Sequence, residues 1–179
     1  MKETTTIRPF FILFTGLSGA GKSTLANELK QKLSEQNIPN YVLDGDVLRK
    51  GINKDLSFSI KDRKENLRRM AEIASLFLDA GTIVLSAFIA PLEESRHQIK
   101  EIVGPENYLE IFINTSLETC KKRDVKGLYA KAEKGEIQNM TGIDSPYEPP
   151  KNPFLQIEET SSIEESITTI LKAIHNRLH

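Results

Sequence analysis

The sequence predicts an α/β fold: a three-layer αβα sandwich around a mainly parallel, five-stranded sheet. Two observations predict it. Short apolar runs alternate with longer amphipathic stretches, the pattern of repeated βαβ units. The runs are almost continuously apolar, as strands covered on both faces are, and do not alternate as half-exposed strands do.

Each element follows from local chemistry. Phe10 to Thr15 reads as a buried strand. Lys22 to Gln36 reads as a helix, because Leu25, Leu29 and Leu33 recur on one face. Tyr41-Val42-Leu43 is a short strand ending in Asp44. Ser59 to Ala80 is a helix that Ser59 and Asp62 are spaced to cap and Ala80-Gly81 to stop. Ile83 to Ala87 is a third strand, Leu92 to Val103 a helix, Leu109 to Ile113 a fourth strand, and Leu117 to about Asp124 a helix. Phe154 to Ile157 is a short fifth strand. The last helix opens on the capping pair Ser162 and Glu165 and carries a stripe of Ile163, Ile167, Ile170, Leu171, Ile174 and Leu178. Val125 to Pro153 breaks the pattern, with Gly127, Gly135 and Gly142 and four prolines. A segment of that length without clear strands inside a compact domain is read as functional, here as a lid over about 125–153.

The 179 residues suit one domain, 1–179, lid included. With 24 Lys+Arg against 25 Asp+Glu the chain is nearly neutral, which argues against a protein built to grip nucleic acid. No apolar stretch is long enough to cross a bilayer, so no membrane partner is expected. One cysteine, Cys120, excludes an internal disulfide framework and fits a cytoplasmic location.

Between the first strand and first helix stands Gly16-Leu17-Ser18-Gly19-Ala20-Gly21-Lys22-Ser23, which meets G-x-x-x-x-G-K-[ST] at every fixed position and is followed by Thr24. Glycines let backbone N–H groups turn toward phosphate oxygens, and the helix N-terminus adds a favourable dipole. Lys22 then reaches the β- and γ-phosphates, and the Ser23 hydroxyl is a Mg²⁺ ligand. The expected ligands are ATP and Mg²⁺, and the fold is P-loop NTPase-like.

What becomes of the γ-phosphate depends on other residues. A GTPase switch needs Asn-Lys-x-Asp after a late strand, and Asn53-Lys54-Asp55 has the wrong spacing and place. A motor ATPase usually closes the strand beside the loop with a carboxylate, whereas Ile83-Val84-Leu85 runs into Ser86-Ala87. Acids instead close the second strand, as Asp44-Gly45-Asp46. In small-molecule kinases a carboxylate there takes the proton of an attacking hydroxyl. A role for either acid as a cap on a following helix is the structural alternative.

The chain resembles the adenylylsulfate kinases, which phosphorylate a nucleotide 3′-hydroxyl with MgATP. The resemblance rests on Phe14 to Thr24, on Leu43-Asp44-Gly45-Asp46 with Arg49 and Gly51, and on Asp62-Arg63 with Glu65-Asn66. It continues through Lys126-Gly127-Leu128-Tyr129, Gly135-Glu136-Ile137 and Thr141-Gly142-Ile143-Asp144. It implies a phosphotransferase with an alcohol group as acceptor and a small nucleotide as substrate. Asp46 becomes the candidate base beside Lys22, and Arg49, Arg63 and Asn66 hold the acceptor. Phe58 stacks on its base, Ile89 borders it, and Arg123 and Lys126 meet phosphates. A homodimer is implied as well.

Departures from the family pattern fall on the acceptor side. Met140 stands where an aromatic usually completes a clamp with Phe58, and Ile89-Ala90-Pro91-Leu92-Glu93 lacks a serine and an aromatic. These changes resemble a branch of capsule-cluster kinases of Campylobacter type, whose acceptor is cytidine 5′-diphosphoramidate. Met140 would then suit a smaller base, and Glu93 would accept a hydrogen bond from the P–NH₂ group. That acceptor is the expectation, in capsule phosphoramidate biosynthesis. Adenylylsulfate, in sulfate assimilation, is the alternative, and a non-catalytic nucleotide-binding regulator a further one.

Overall fold

The computed structural model describes residues 7–178. Five strands, β1 (Phe11–Thr15), β2 (Asn40–Asp44), β3 (Ile83–Ala87), β4 (Tyr108–Asn114) and β5 (Leu155–Glu158), form one sheet in the order β2-β3-β1-β4-β5. Every pairing in it is parallel. The helices are α1 (Lys22–Glu35), α2 (Gly45–Lys50), α3 (Ile60–Asp79), α4 (Glu93–Val103), α5 (Leu117–Arg123), α6 (Leu128–Glu133) and α7 (Ile163–Leu178).

The central strand explains the continuous apolar run. On β1 and the residue before it, Phe10, Ile12 and Phe14 join the core under α1 and α7, while Phe11 and Leu13 join the core under α3 and α4. Successive side chains leave opposite faces, so a strand covered twice needs apolar residues at every position. Leu25, Leu29 and Leu33 of α1 pack into the first core, and Leu67, Met70, Ala71 and Ala74 of α3 into the second.

The caps form as spaced. Ser59 Oγ accepts the Asp62 N–H at 3.1 Å. Glu165 Oε2 takes the Ser162 N–H at 2.8 Å while Ser162 Oγ accepts the Glu165 N–H at 3.2 Å, a reciprocal capping box. Two expectations change. Ile163 is 51% exposed: it lies at the first turn of α7 and borders an open cavity rather than the core. The segment over 125–153 is not structureless. It contains α6 and a bridge between Thr141 and Ser145, and Tyr147 stacks on Phe112 of β4.

Candidate active site

The glycine-rich loop spans the end of β1 and the start of α1. Five of its carbonyls are already hydrogen-bonded. Lys22 Nζ donates to the oxygens of Gly16 (3.0 Å) and Leu17 (2.7 Å), and Tyr129 Oη to that of Ser18 (2.8 Å). Arg123 Nη1 donates to Gly19 O (3.3 Å), and Thr115 Oγ1 to Ala20 O (3.1 Å). With these acceptors taken, the N–H groups at the α1 N-terminus suit an anion. Glycine is required at position 16, where a Cβ would stand 2.7 Å from the Ile113 carbonyl. Gly21 adopts φ 108° as the residue before α1.

Lys22 is buried, and its hydrogen bonds go to neutral carbonyls. Burial pulls its pKa from 10.5 down to about 8. A desolvated cation without an ion-pair partner fits a triphosphate. Beside it, Ser23 Oγ donates to Asp44 Oδ2 at 2.7 Å, an oxygen-only pair of the kind a hard cation such as Mg²⁺ takes. Asp44 Oδ1 also accepts the Asp46 N–H at 2.9 Å, so Asp44 caps α2 as well. Asp46 pairs with Lys126. A cavity of about 200 Å³ opens beside the loop between Thr24, Arg123, Ile157 and Ile163.

Across from the loop stands a second cluster. Phe58 is 61% exposed, and the Arg49 guanidinium lies 4.3 Å from its ring centroid. Arg49 Nη1 donates to Ser57 O (3.1 Å) and Leu56 O (3.3 Å). Arg63 donates to Phe58 O (2.9 Å), Thr141 Oγ1 (3.2 Å) and Asn139 O, tying Phe58 to the middle of the lid segment. Both guanidinium pKa values are lowered by burial, and that of Arg63 also by Arg49. Among the described residues neither arginine has a salt bridge. Arg68 and Arg69, by contrast, are tied to Glu65, Glu72 and Asp55 as an ion-paired helix face. Geometry therefore separates two arginines without a salt bridge among the described residues from two that are already ion-paired.

The remaining sequence-predicted residues fare differently. Asn66 is buried, and its side-chain carbonyl accepts from Asn53 Nδ2 at 3.0 Å. The Ile89 carbonyl accepts from Thr15 Oγ1 at 2.6 Å. Met140 is 7% exposed and joins the hydrophobic core that includes α1, while Arg63 ties its neighbours Asn139 and Thr141 to Phe58. Glu93 is exposed, and its carboxylate lies 3.4 Å from Lys151 near the end of the lid segment. Sequence reasoning missed Thr115, and it placed Tyr129 and Thr15 in motifs without their contacts, which join residues 74–111 apart. It saw Asp44 without Ser23 as its partner.

The adenylylsulphate kinase family model matches residues 8–158. An adenylyl-sulfate kinase of Pseudomonas entomophila is 52% identical, covering 91% of this chain and 79% of its own length. A probable adenylyl-sulfate kinase of Halalkalibacterium halodurans is 51% identical, covering 93% and 81%. The APS kinase CysC of Mycobacterium tuberculosis, solved with AMPPNP and APS, superposes with a TM-score of 0.91 at 46% identity, over 94% of this chain and 98% of that one. A complete phosphate loop, a carboxylate pair at the end of β2 and these matches lead to one conclusion: the chain belongs to the adenylylsulfate kinase family, phosphotransferases that use ATP and Mg²⁺ and have an alcohol group as acceptor.

Proposed function

We propose that this chain transfers the γ-phosphoryl group of ATP to the 3′-hydroxyl of adenylylsulfate. The observation that carries the reading is the Phe58, Arg49 and Arg63 cluster: an exposed ring for a base beside two uncompensated cations for a 5′-anhydride. Its support for this acceptor comes from relatives near 50% identity that are named adenylyl-sulfate kinases.

The roles follow from position. The loop from Gly16 to Thr24 holds the donor phosphates, with Arg123 and Lys126 at its rim. Lys22 neutralises the charge gathering on the transferred group, and Ser23 with Asp44 would hold Mg²⁺. Bound there, Mg²⁺ offsets phosphate charge. Asp46 accepts the hydroxyl proton once Lys126 leaves it for phosphate oxygens. Arg49, Arg63, Asn66, Ile89 and the Met140 segment border the acceptor. The whole is one kinase domain, and residues 125–153 act as its lid, excluding water from the transferring group.

Cytidine 5′-diphosphoramidate was favoured by Met140 and Glu93. The first packs into the core and the second pairs with Lys151, so both supports weaken. The test is kcat/KM for the two acceptors, with 3′-phosphorylation verified by product mass. Adenylylsulfate is expected to win, and a ratio favouring the cytidine compound would overturn the reading. No turnover with either, despite ATP binding, would leave the regulator. A homodimer is the assembly we expect, on family resemblance. A cytoplasmic location fits an ATP-using enzyme in which no described helix is long and apolar enough to cross a membrane.

A further inference from the structure

Three consecutive carbonyls after β3 are each taken by a different element. Ile89 O accepts from Thr15 Oγ1 of β1 (2.6 Å), Ala90 O from Arg96 Nη1 of α4 (2.9 Å), and Pro91 O from the Glu148 N–H of the lid segment (2.8 Å). The middle residue is strained. Ala90 has φ 42°, in the left-handed region that disfavours a side chain, and it is 2% exposed. Such a conformation persists only where its surroundings over-determine it.

Arg96 is the strongest of the three constraints. It is 4% exposed, and its Nε lies 2.8 Å from Glu110 Oε1 on β4. The carboxylate lies against the guanidinium as an ion pair, and Nη1 donates to the Ala90 carbonyl. One rigid planar group thus meets both partners; a lysine ammonium lacks that fixed geometry. An ion pair this dry is weak evidence for stability, since desolvation offsets attraction. Its place behind a strained turn at the end of the sheet gives it another use.

We propose that Arg96, oriented by Glu110, is a positioning residue for the acceptor nucleotide. It holds Ala90 in the left-handed conformation and thereby sets where Ile89 stands. The proposal rests on the reading that Ile89 borders the acceptor. Arg96 acts from behind the turn: among the described residues its ion pair is with Glu110 and its hydrogen bond goes to the Ala90 carbonyl.

The test separates acceptor from donor. Steady-state kinetics of R96M with adenylylsulfate should show the acceptor KM raised about ten-fold or more, as misplacement of a binding group costs, with the ATP KM within about two-fold. Adding A90G should recover much of the loss, because glycine adopts the same φ without a restraining arginine. If R96M does not fold, R96K serves. It keeps the charge facing Glu110 but loses the fork, and the same split and the same rescue are expected. KM values that rise together, an unchanged acceptor KM, or a failure of A90G to rescue would overturn the proposal. Failure of the underlying reading looks different: the wild-type protein would not turn over adenylylsulfate at all, and the split would then be sought with the acceptor that it does use.

Discussion

ATP binding is expected to take up a proton through Lys22. In the free protein burial holds this ammonium at a pKa of about 8, with carbonyl partners only. A phosphate oxygen about 4 Å away attracts it by about 4 kcal/mol at an effective dielectric of 20, equivalent to about three pKa units. The bound group therefore returns to its ordinary 10.5 or above. At pH 9 about one tenth of free Lys22 is charged, against nearly all in the complex. Binding then takes up about 0.9 proton, and affinity at pH 9 falls about ten-fold below that at pH 7. Calorimetric titration with a non-hydrolysable ATP analogue and Mg²⁺, in buffers of different ionisation enthalpy, reads both quantities. K22M should bind weakly and without this pH dependence. Flat wild-type affinity from pH 7 to 9, or an equal decline in K22M, would refute the argument. The sign for folding is opposite. Between about 8 and 10.5 the unfolded chain keeps a proton that folded Lys22 releases, so this group's contribution to stability improves as pH rises through that window.

Three further outcomes are expected. D46N should lower kcat by about 10²–10⁴-fold with acceptor KM largely kept, as measured by steady-state kinetics, since a general base is lost and no binding cation is removed. Amide exchange over residues 125–139 should slow when both nucleotides are bound, whereas residues 145–148, already fastened by Tyr147 to Thr15 and by Glu148 to Pro91, should change little. L29A should cost about 2–5 kcal/mol in denaturant unfolding, because Leu29 is wholly buried between α1 and the sheet.

Much of this protein is legible without coordinates because it is local. A strand buried on both faces writes itself as Phe10-Phe11-Ile12-Leu13-Phe14, and a capping box as Ser162 and Glu165, through contacts within four residues. The phosphate loop is local too, since its glycines and Lys22 act on one turn of chain. Tertiary structure decided the rest. The six-residue helices α2 and α6 are too short to be stable alone, and packing or a cap from Asp44 or Asp124 secures them. Glu65 and Glu72 stand one helical turn from Arg68, a pairing that sequence spacing gives; only the fold turns Arg63 instead to the carbonyls of Phe58 and Asn139. The burial of Met140 at 7% exposure is likewise set by the fold and not by any local pattern. Arg96 and Glu110 meet across α4 and β4 to hold Ala90, a contact that no periodicity encodes. Sequence determines what each segment buries and how it begins. Which charges are neutralised, and which are left for a ligand, depends on chain segments far apart that only the packed sheet and its helices bring together.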